Sequence, residues 1–295
     1  MTEPIVITGV SGFVGRTIAK DLLSKGLPVV GMSRTNPEIP GLNFIRTDLS
    51  SVATLPTDFT RSTVVHCAAL TEDGKGPAFK SVNFEGTKRA LQLNPEGKFI
   101  HLSSSSIYRL DRPSYHVREE EFSVNSYSFY NEYSRTKALA EDLVLNKTAE
   151  RTVAPVSIRP HGIYGPGDTT LLPKLLKRIK KGRLILPEGG RVMHSLTHID
   201  NVVQAINLSM SVENKKAEAY NVSDANPVIM YEAIKMIVAQ PLKIYAIDTA
   251  VALQLSKISG QISEYEVRQT GFERTYSSGK AKKQLGYKPK SFSRM

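Results

Sequence analysis

The sequence has a single cysteine and no long run of apolar residues. One cysteine, Cys67, excludes a disulfide within the chain, and this fits a reducing compartment. No stretch approaches the roughly 20 consecutive apolar residues that a membrane-spanning helix needs. The opening residues, MTEP, lack the basic region that begins a signal peptide. We therefore expect a soluble cytoplasmic protein with no membrane partner.

Acidic residues are in the minority: the chain has 28 Asp and Glu against 39 Lys and Arg, a net charge of +11. Six of the basic residues fall between positions 174 and 183. A solvated basic face accounts for such a cluster, and attraction for an anionic ligand such as a phosphorylated cofactor or an acyl carrier is the alternative. The chain shows no helix-turn-helix, zinc-finger or RNA-recognition signature, so we expect no nucleic-acid partner.

Short β-branched runs alternate with helical apolar spacing over the first 160 residues. Strands are predicted at residues 5–7, 29–30, 43–46, 63–66, 98–102 and 156–158, and helices at 17–25, 78–93 and 131–147. This alternation predicts βαβ units and a parallel sheet. After Pro160 it fades, and helices are predicted at 171–181, 200–210 and 230–238.

We therefore expect an α/β fold, a Rossmann-type doubly wound parallel sheet with a smaller C-terminal substrate-binding part. With 295 residues, the chain has room for one large domain or two modest ones. Residues 1–160 would form the nucleotide-binding domain and residues 161–295 the substrate-binding part. Segments near residues 195–222 would pack back on the first domain.

A glycine-rich turn, TGVSGFVG at residues 8–15, follows the first predicted strand and opens a helix. In a dinucleotide site Gly9 would permit the tight turn, Gly12 would let the backbone approach a pyrophosphate, and Gly15 would allow close helix–strand packing. The pyrophosphate would lie at the helix N-terminus, beside Phe13 and Val14. Because the spacing is GxxGxxG rather than GxGxxG, a purely structural turn is the alternative.

The end of the second strand favours NADP(H) over NAD(H). An NAD site calls for an acidic side chain there to bind the ribose 2′-hydroxyl. The sequence offers none before Glu38 and has Ser33 and Arg34 instead. These two side chains suit a 2′-phosphate through charge-assisted hydrogen bonds. An ordinary surface arginine is the alternative.

Two further motifs carry chemistry. Tyr133 and Lys137 lie four residues apart in a predicted helix and so share one face. A nearby cation lowers the pKa of a tyrosine from its usual ~10, which suits a general acid for a carbonyl or a general base for an alcohol. A serine run, residues 103–106, follows the strand at 98–102, at the sheet edge where ligands bind. Each motif also occurs by chance, the first in ordinary helices and the second in loops.

In their order and spacing these motifs resemble the extended short-chain dehydrogenase/reductase superfamily, the NAD-dependent epimerase/dehydratase family. Further matching segments are TDL at 47–49, HCAA at 66–69, VNFEGT at 82–87, YSRTKALAE at 133–141, RPHGIYGPGD at 159–168 and LGYKP at 285–289. The resemblance implies that Tyr133 gives or takes the proton and that Lys137 lowers its pKa and holds the nicotinamide ribose. It makes Ser104 the catalytic serine, with Ser105 as the alternative register.

The same resemblance implies the remaining contacts of the cofactor. Asp48 and Leu49 would meet the adenine, and Asn83 would belong to the cofactor site while supporting the active-site helix. Other expected contacts are Cys67, Ala68, Ala69, Pro160, His161 and Ile163. No metal is expected. Many members of the family pair through the two helices predicted at 78–93 and 131–147, so we expect a homodimer and a small-molecule substrate.

Three departures indicate the branch of the family. Ser105 and Ser106 stand where its dehydratases have Asp-Glu, and Met193 stands where its nucleotide-sugar epimerases have an arginine, although Arg191 is near. Asn201 follows the aspartate of HIDNVVQA at 198–205. The pattern is closest to the 3β-hydroxysteroid dehydrogenase-like subgroup.

The leading hypothesis is therefore an NADP(H)-dependent oxidoreductase that interconverts a ketone and a secondary alcohol on a 3-oxo or 3-hydroxy apolar compound. A nucleotide-sugar 4-epimerase or 4-ketoreductase is the alternative. A non-catalytic dinucleotide-sensing regulator on the same fold is a third hypothesis, which the presence of both Tyr133 and Lys137 argues against.

Overall fold

The computed structural model describes residues 3–51, 55, 59–71, 76–124, 128–146, 151–238, 240–259 and 263–293. Its main feature is one parallel sheet of seven strands. The strands of this sheet are β1 (Ile5–Thr8), β2 (Val29–Ser33), β3 (Asn43–Arg46), β4 (Thr63–His66), β5 (Phe99–Leu102), β7 (Val156–Pro160) and β12 (Glu218–Val222). Their order is β12-β7-β5-β4-β1-β2-β3. Strands β2 and β3 extend the sheet on one side of β1, and the later strands, beginning with β4, extend it on the other side.

Ten α-helices are described. They are α1 (Phe13–Ser24), α2 (Gly76–Phe79), α3 (Gly86–Ala90), α4 (Glu132–Asn146), α5 (Leu171–Arg178), α6 (Ile199–Ser211), α7 (Met230–Ile237), α8 (Thr249–Ser259), α9 (Glu264–Gly271) and α10 (Gly279–Leu285). None of these helices has both the length and the apolarity to cross a bilayer.

Helices cover both faces of the sheet, because alternate strand residues point to opposite sides and both sets are apolar. On one face Ile7 and Val65 pack with residues of α1, α6 and α10. On the other face Val6 and Val64 pack with residues of α3 and α4. The fold is therefore the expected doubly wound Rossmann-type sheet.

Two predicted helices differ from those observed in an informative way. The segment predicted at 78–93 runs as α2, then a π-helical turn at Lys80–Glu85, then α3. Such turns concentrate at functional sites. The helix predicted at 171–181 ends at Arg178, because the backbone of Ile179 is already extended, with a ψ of 118°. Lys181 and Gly182 then take positive φ angles of 49° and 68° and turn the chain into the next strand.

Outside the main sheet the strands form smaller sheets, and all of these strands except the first come after residue 160. The eight remaining described strands are β6 (Ser114–Val117), β8 (Ile163–Tyr164), β9 (Arg183–Pro187), β10 (Met193–His194), β11 (Thr197–His198), β13 (Val228–Ile229), β14 (Lys243–Ile247) and β15 (Arg274–Tyr276). They build one sheet in the order β13-β10-β15-β6 and the parallel pairs β11-β8 and β14-β9. The edge strand β12 and helix α6 return to the main sheet from this part of the chain. The division at residue 160 into two domains stays a prediction.

Candidate active site

The turn after β1 is shaped for a close backbone approach. Gly9 has a φ of 70°, and a Cβ there would lie 2.6 Å from the backbone of Ala68. A Cβ on Gly15 would lie 2.5 Å from the carbonyl oxygen of Gly9. Both positions therefore require glycine, as expected from the sequence.

The N-terminus of α1 leads out of this turn. Gly12 is its N-cap and supplies no side-chain cap, so the first amides of the helix, beginning with those of Phe13 and Val14, have no side-chain acceptor from it. Gly12 is exposed and carries no Cβ, which leaves room for a ligand against the helix end. These features fit the pyrophosphate of a dinucleotide, because free amides and the helix dipole favour an anion.

The end of β2 places Arg34 at the surface, with Ser33 buried beneath it. The Ser33 hydroxyl donates to the carbonyl oxygen of Thr35, 2.8 Å away, so its proton is engaged within the loop. Asp48 accepts from the backbone and the side chain of Ser50, and these hydrogen bonds, together with nearby Arg34, hold the pKa of its carboxyl below the usual value. Arg34 and Asp48 thus lie at one corner of the site, with Leu49 buried next to Asp48.

Asn83 connects the cofactor edge to the helix that bears Tyr133. Its side-chain oxygen accepts from the amide of Leu70, and its nitrogen donates to the Leu70 carbonyl and, at 3.1 Å, to the hydroxyl of Thr136 on α4. The side chain is 1% exposed. This geometry matches the expected support of the active-site helix, and it holds the loop that follows Cys67, Ala68 and Ala69.

The structure brings Ser104 and Tyr133 together. A hydrogen bond from the Ser104 hydroxyl to Tyr133 lowers the pKa of the phenol, but burial outweighs it and raises that pKa to about 12. Ser104 lies two residues after β5 with extended backbone angles, and its hydroxyl accepts from the amide of Ser106. The phenol is therefore protonated at neutral pH.

Lys137 lies one turn after Tyr133 on α4 and is 2% exposed. Its Nζ donates to the carbonyl oxygen of Leu102 at 2.5 Å and to Nε2 of His101 at 3.4 Å. Burial lowers the pKa of Lys137 to about 8, and the carboxylate of Glu141 opposes this shift. In this structure the ammonium is held by β5, and the pKa of Tyr133 follows from burial and Ser104. The lowering of that pKa by Lys137 stays a prediction.

Ser105 faces a different partner from Ser104. Its hydroxyl lies 2.7 Å from Nδ1 of His161, the residue after Pro160 at the end of β7. The ring of His161 packs between His194 and Tyr276, with centroid distances of 5.8 and 4.9 Å. Burial is the main cause that lowers the pKa of His161, to about 3, so the imidazole is neutral.

A cavity of about 400 Å³ opens beside these residues. Ser104, Ser105, Tyr133 and His161 form part of its wall. Most of the remaining wall is apolar and comes from α5, β9, α7, α8 and α9, and Lys174, Arg178 and Glu266 contribute the charged side chains. The cavity therefore has a polar end at the serine–tyrosine pair and an apolar body.

The site also contains residues that sequence reasoning did not assign. Arg159 and Glu141 form a buried ion pair beneath Lys137, 3% and 0% exposed, and Arg159 also donates to Tyr108. Glu141 ends the family segment at 133–141 and Arg159 begins the one at 159–168, but only the fold shows that the two side chains meet. The apolar side chains of α7, α8 and α9 in the cavity wall could not be predicted as such, because the sequence shows only the amphipathic spacing of ordinary helices there. Pro160 is buried and Ile163 half-buried at the end of β7 and in β8.

Together, the parallel sheet, the glycine turn and the serine–tyrosine–lysine edge define a Rossmann-type nucleotide-binding protein. More narrowly, the chain belongs to the NAD dependent epimerase/dehydratase family, whose model matches residues 5–223. This confirms the family indicated by the sequence motifs.

Three known proteins show the range of its similarity. The chain is 27% identical to the 3-beta-hydroxysteroid dehydrogenase of Mycolicibacterium neoaurum, covering 97% of this chain and 87% of that protein. It is 29% identical to the 2-alkyl-3-oxoalkanoate reductase of Stenotrophomonas maltophilia (strain K279a), covering 88% and 82%. A solved structure described as MoeE5 in complex with UDP-glucuronic acid and NAD shares the fold, with a TM-score of 0.78, 24% identity and coverage of 99% and 95%.

Proposed function

We propose that this chain is an NADP(H)-dependent oxidoreductase that interconverts a ketone and a secondary alcohol on an apolar substrate. The observation that carries the proposal is the Ser104–Tyr133 pair at the polar end of a largely apolar cavity. Such a cavity suits a hydrophobic compound whose one reacting oxygen reaches the pair. Two relatives, a 3-beta-hydroxysteroid dehydrogenase and a 2-alkyl-3-oxoalkanoate reductase, carry names of this reaction class.

The lining of the cavity argues against the alternative of a nucleotide-sugar 4-epimerase or 4-ketoreductase. A nucleotide diphosphate needs basic side chains in the pocket. Neither Met193, which stands at the position of the epimerase arginine, nor Arg191, two residues earlier, is part of the described cavity wall. Lys174 and Arg178 do lie in the wall, but the ammonium of Lys174 donates to the carbonyl oxygen of Thr71 and the guanidinium of Arg178 is paired with Glu266.

The residues of this chain divide the chemistry as follows. The nicotinamide cofactor supplies or receives the hydride. Tyr133, protonated at neutral pH, is poised to donate a proton to a carbonyl oxygen, and the Ser104 hydroxyl is poised to hydrogen-bond that oxygen as charge develops on it. Lys137 supplies a positive charge at the cofactor edge.

The first test is the variant Tyr133→Phe. We expect it to abolish turnover of a 3-oxo apolar ketone with NADPH, because the proton donor is gone, while cofactor affinity measured by fluorescence stays within about twofold. Tyr130→Phe, on the preceding loop, is the matched control and should retain activity. Turnover by Tyr133→Phe within about tenfold of the wild type would refute the role of Tyr133 as acid.

The preference for NADP(H) is tested separately. Arg34 is exposed at the end of β2, where a 2′-phosphate would lie, and no acidic residue precedes Glu38 in that loop. Arg34→Ala should weaken NADPH binding about tenfold or more and leave NADH binding unchanged, because one charge-assisted contact is lost. Lys20→Ala, exposed on α1, is the control. Equal binding of the two cofactors by the wild type would contradict the role of Arg34.

A further inference from the structure

One buried imidazole near Lys137 has no role in the chemistry described so far. His101 lies in the middle of the parallel sheet, on β5, and is 0% exposed. Its register partner on β4 is His66, and the two rings stack with centroids 5.5 Å apart. Five of the eight positions of these two strands hold Val, Ile, Leu or Phe. A histidine here needs a physical reason, since burial of a polar ring is costly unless it is hydrogen-bonded.

The two histidines differ in their partners. His66 is satisfied on both nitrogens, by the hydroxyl of Thr8 at 2.7 Å and by that of Thr87 at 2.9 Å. His101 contacts Nζ of Lys137 through Nε2, and its Nδ1 has no hydrogen-bond partner among the described residues. Stability alone therefore does not account for a histidine at position 101, because an unpaired buried polar group destabilises the fold.

The contact fixes the tautomer of His101. A lysine ammonium has three donors and no acceptor, so Nε2 must accept and the ring proton must reside on Nδ1. The carbonyl oxygen of Leu102 takes a second N–H of the same ammonium. Two of the three donors of Lys137 are therefore held by consecutive residues of β5, and the third has no acceptor among the residues that the structure describes.

We infer that His101 is a positioning residue for Lys137: its neutral ring accepts a hydrogen bond from the ammonium and, with the Leu102 carbonyl, leaves the third N–H for the cofactor ribose. This inference rests on the proposed function, because it assigns Lys137 to the cofactor. His101 itself touches neither substrate nor cofactor and acts through the lysine.

The ionisable groups around Lys137 determine the sign of the effect. Tyr133 and Glu141 lie on its own helix, Arg159 pairs with Glu141 from β7, and Cys67 and His66 face it from the end of β4. Glu141 and Cys67 raise the pKa of Lys137, whereas burial lowers it to about 8. The neutral acceptor on His101 stabilises the ammonium. Removing that acceptor must therefore lower the pKa of Lys137 further.

The test compares four proteins: the wild type, His101→Leu, which loses the acceptor, His101→Gln, which keeps one, and Phe99→Leu. Phe99 lies two residues earlier on β5, faces the same side and is fully buried, so its truncation disturbs the core without touching Lys137. The pKa of the Lys137 amine is read by NMR on ¹⁵N-lysine protein, with Lys137→Met to assign the signal. Affinity for NADPH is read by fluorescence between pH 6 and 10, and thermal unfolding is measured for all variants.

We expect His101→Leu to lower the Lys137 pKa by about half a unit to one unit and to weaken NADPH binding about fivefold near neutral pH, the effect of one lost hydrogen bond. His101→Gln should keep the Lys137 pKa and the NADPH affinity close to those of the wild type. Phe99→Leu should lower thermal stability and leave both of these values unchanged. An unchanged lysine pKa in folded His101→Leu would overturn the inference, and so would an equal shift in Phe99→Leu. If His101→Leu does not fold, His101→Asn, whose shorter amide stops short of Nζ, replaces it and is expected to show the same shift. The NMR titration uses no cofactor, so it separates failure of this inference from failure of the proposed function.

Discussion

At the scale of single residues, two adjacent serines have different partners. Ser104 has extended backbone angles and its hydroxyl meets Tyr133, whereas Ser105 begins a short 3-10 turn and its hydroxyl meets His161. A single step along the chain changes the direction of the side chain, so the register decides which hydroxyl meets a reacting oxygen. The geometry favours Ser104, the register predicted from the sequence motif, and its catalytic role remains to be measured.

Alanine variants of the two serines test this assignment. Ser104→Ala should lower kcat/KM for the ketone by about 10²–10³, because one hydrogen bond to the developing oxyanion is lost. Ser105→Ala, the matched control, should change kcat/KM by less than about tenfold. Steady-state kinetics with saturating NADPH is the measurement, and the reverse ranking would make Ser105 the catalytic serine.

At the scale of elements, the π-helical turn at Lys80–Glu85 explains how the helix bearing Tyr133 is held. The turn contains Asn83, whose amide bridges the loop at Leu70 and the hydroxyl of Thr136. Thr136 in turn donates to the carbonyl oxygen of Glu132 in the first turn of α4. The start of α4 is thus tied to the sheet edge through side chains, and this determines the position of Tyr133 and Lys137.

Loss of the Asn83 hydrogen bonds should lower activity by more than the loss of folding stability explains. Asn83→Ala removes three hydrogen bonds and leaves buried polar groups unpaired, so we expect about 2–3 kcal/mol less stability and a drop in kcat of at least tenfold. Asn94→Ala is the control, because Asn94 is equally buried and donates to two backbone carbonyls away from the site. Urea unfolding and kinetics on both variants separate the effects. A similar kcat for the two variants would show that Asn83 is merely structural.

At the scale of the whole molecule, four of the six histidines are buried and neutral. Burial is the largest cause that lowers the pKa of each of them, with a value of about 3 for His66 and His161 and a value well below the usual one for His101 and His194. In the unfolded chain they would titrate near 6.5. Between those values the unfolded state binds more protons than the folded state.

Stability should therefore fall as the pH is lowered from about 6.5 towards 3. Each buried histidine contributes a slope of up to about 1.4 kcal/mol per pH unit in this window. The urea midpoint measured from pH 7.5 to 4.5 tests this. His194→Gln should make the slope shallower, and His116→Asn, which replaces an exposed histidine, should leave it unchanged. A midpoint independent of pH below 6 would contradict the neutral state of these rings.

Quaternary structure also belongs to this scale. The homodimer expected through α4 and the helical segment from α2 to α3 stays a prediction. Large apolar side chains exposed on the described surface lie elsewhere, mainly on α5, β9, β14 and α8, next to the cavity. Sedimentation velocity would decide between a monomer and a dimer.

Much of the fold was accessible from the sequence because its signals are local. The short β-branched runs predicted six strands of the main sheet, and the glycine turn predicted the conformation that Gly9 and Gly15 require. Strand β12 was not predicted, because its residues EAYNV lack a continuous apolar run and their burial comes from pairing with β7. Arg274 shows the same limit: it belongs to a basic C-terminal region, yet it is fully buried and donates to the carbonyl oxygens of Leu110, Arg112 and Arg268.

The sequence by itself determined the family and the strand–turn–helix that begins the fold, and it pointed to a serine run, Tyr133 and Lys137 as the candidate site, because each depends on residue type at short spacing. Only the tertiary structure decided which serine meets Tyr133, that His101 and the Leu102 carbonyl hold Lys137, and that the C-terminal helices wall an apolar cavity. These features join residues far apart in the chain, and their contacts depend on the twist and packing of the sheet. Side-chain direction within a few ångströms is a property of that packing, which no local pattern encodes.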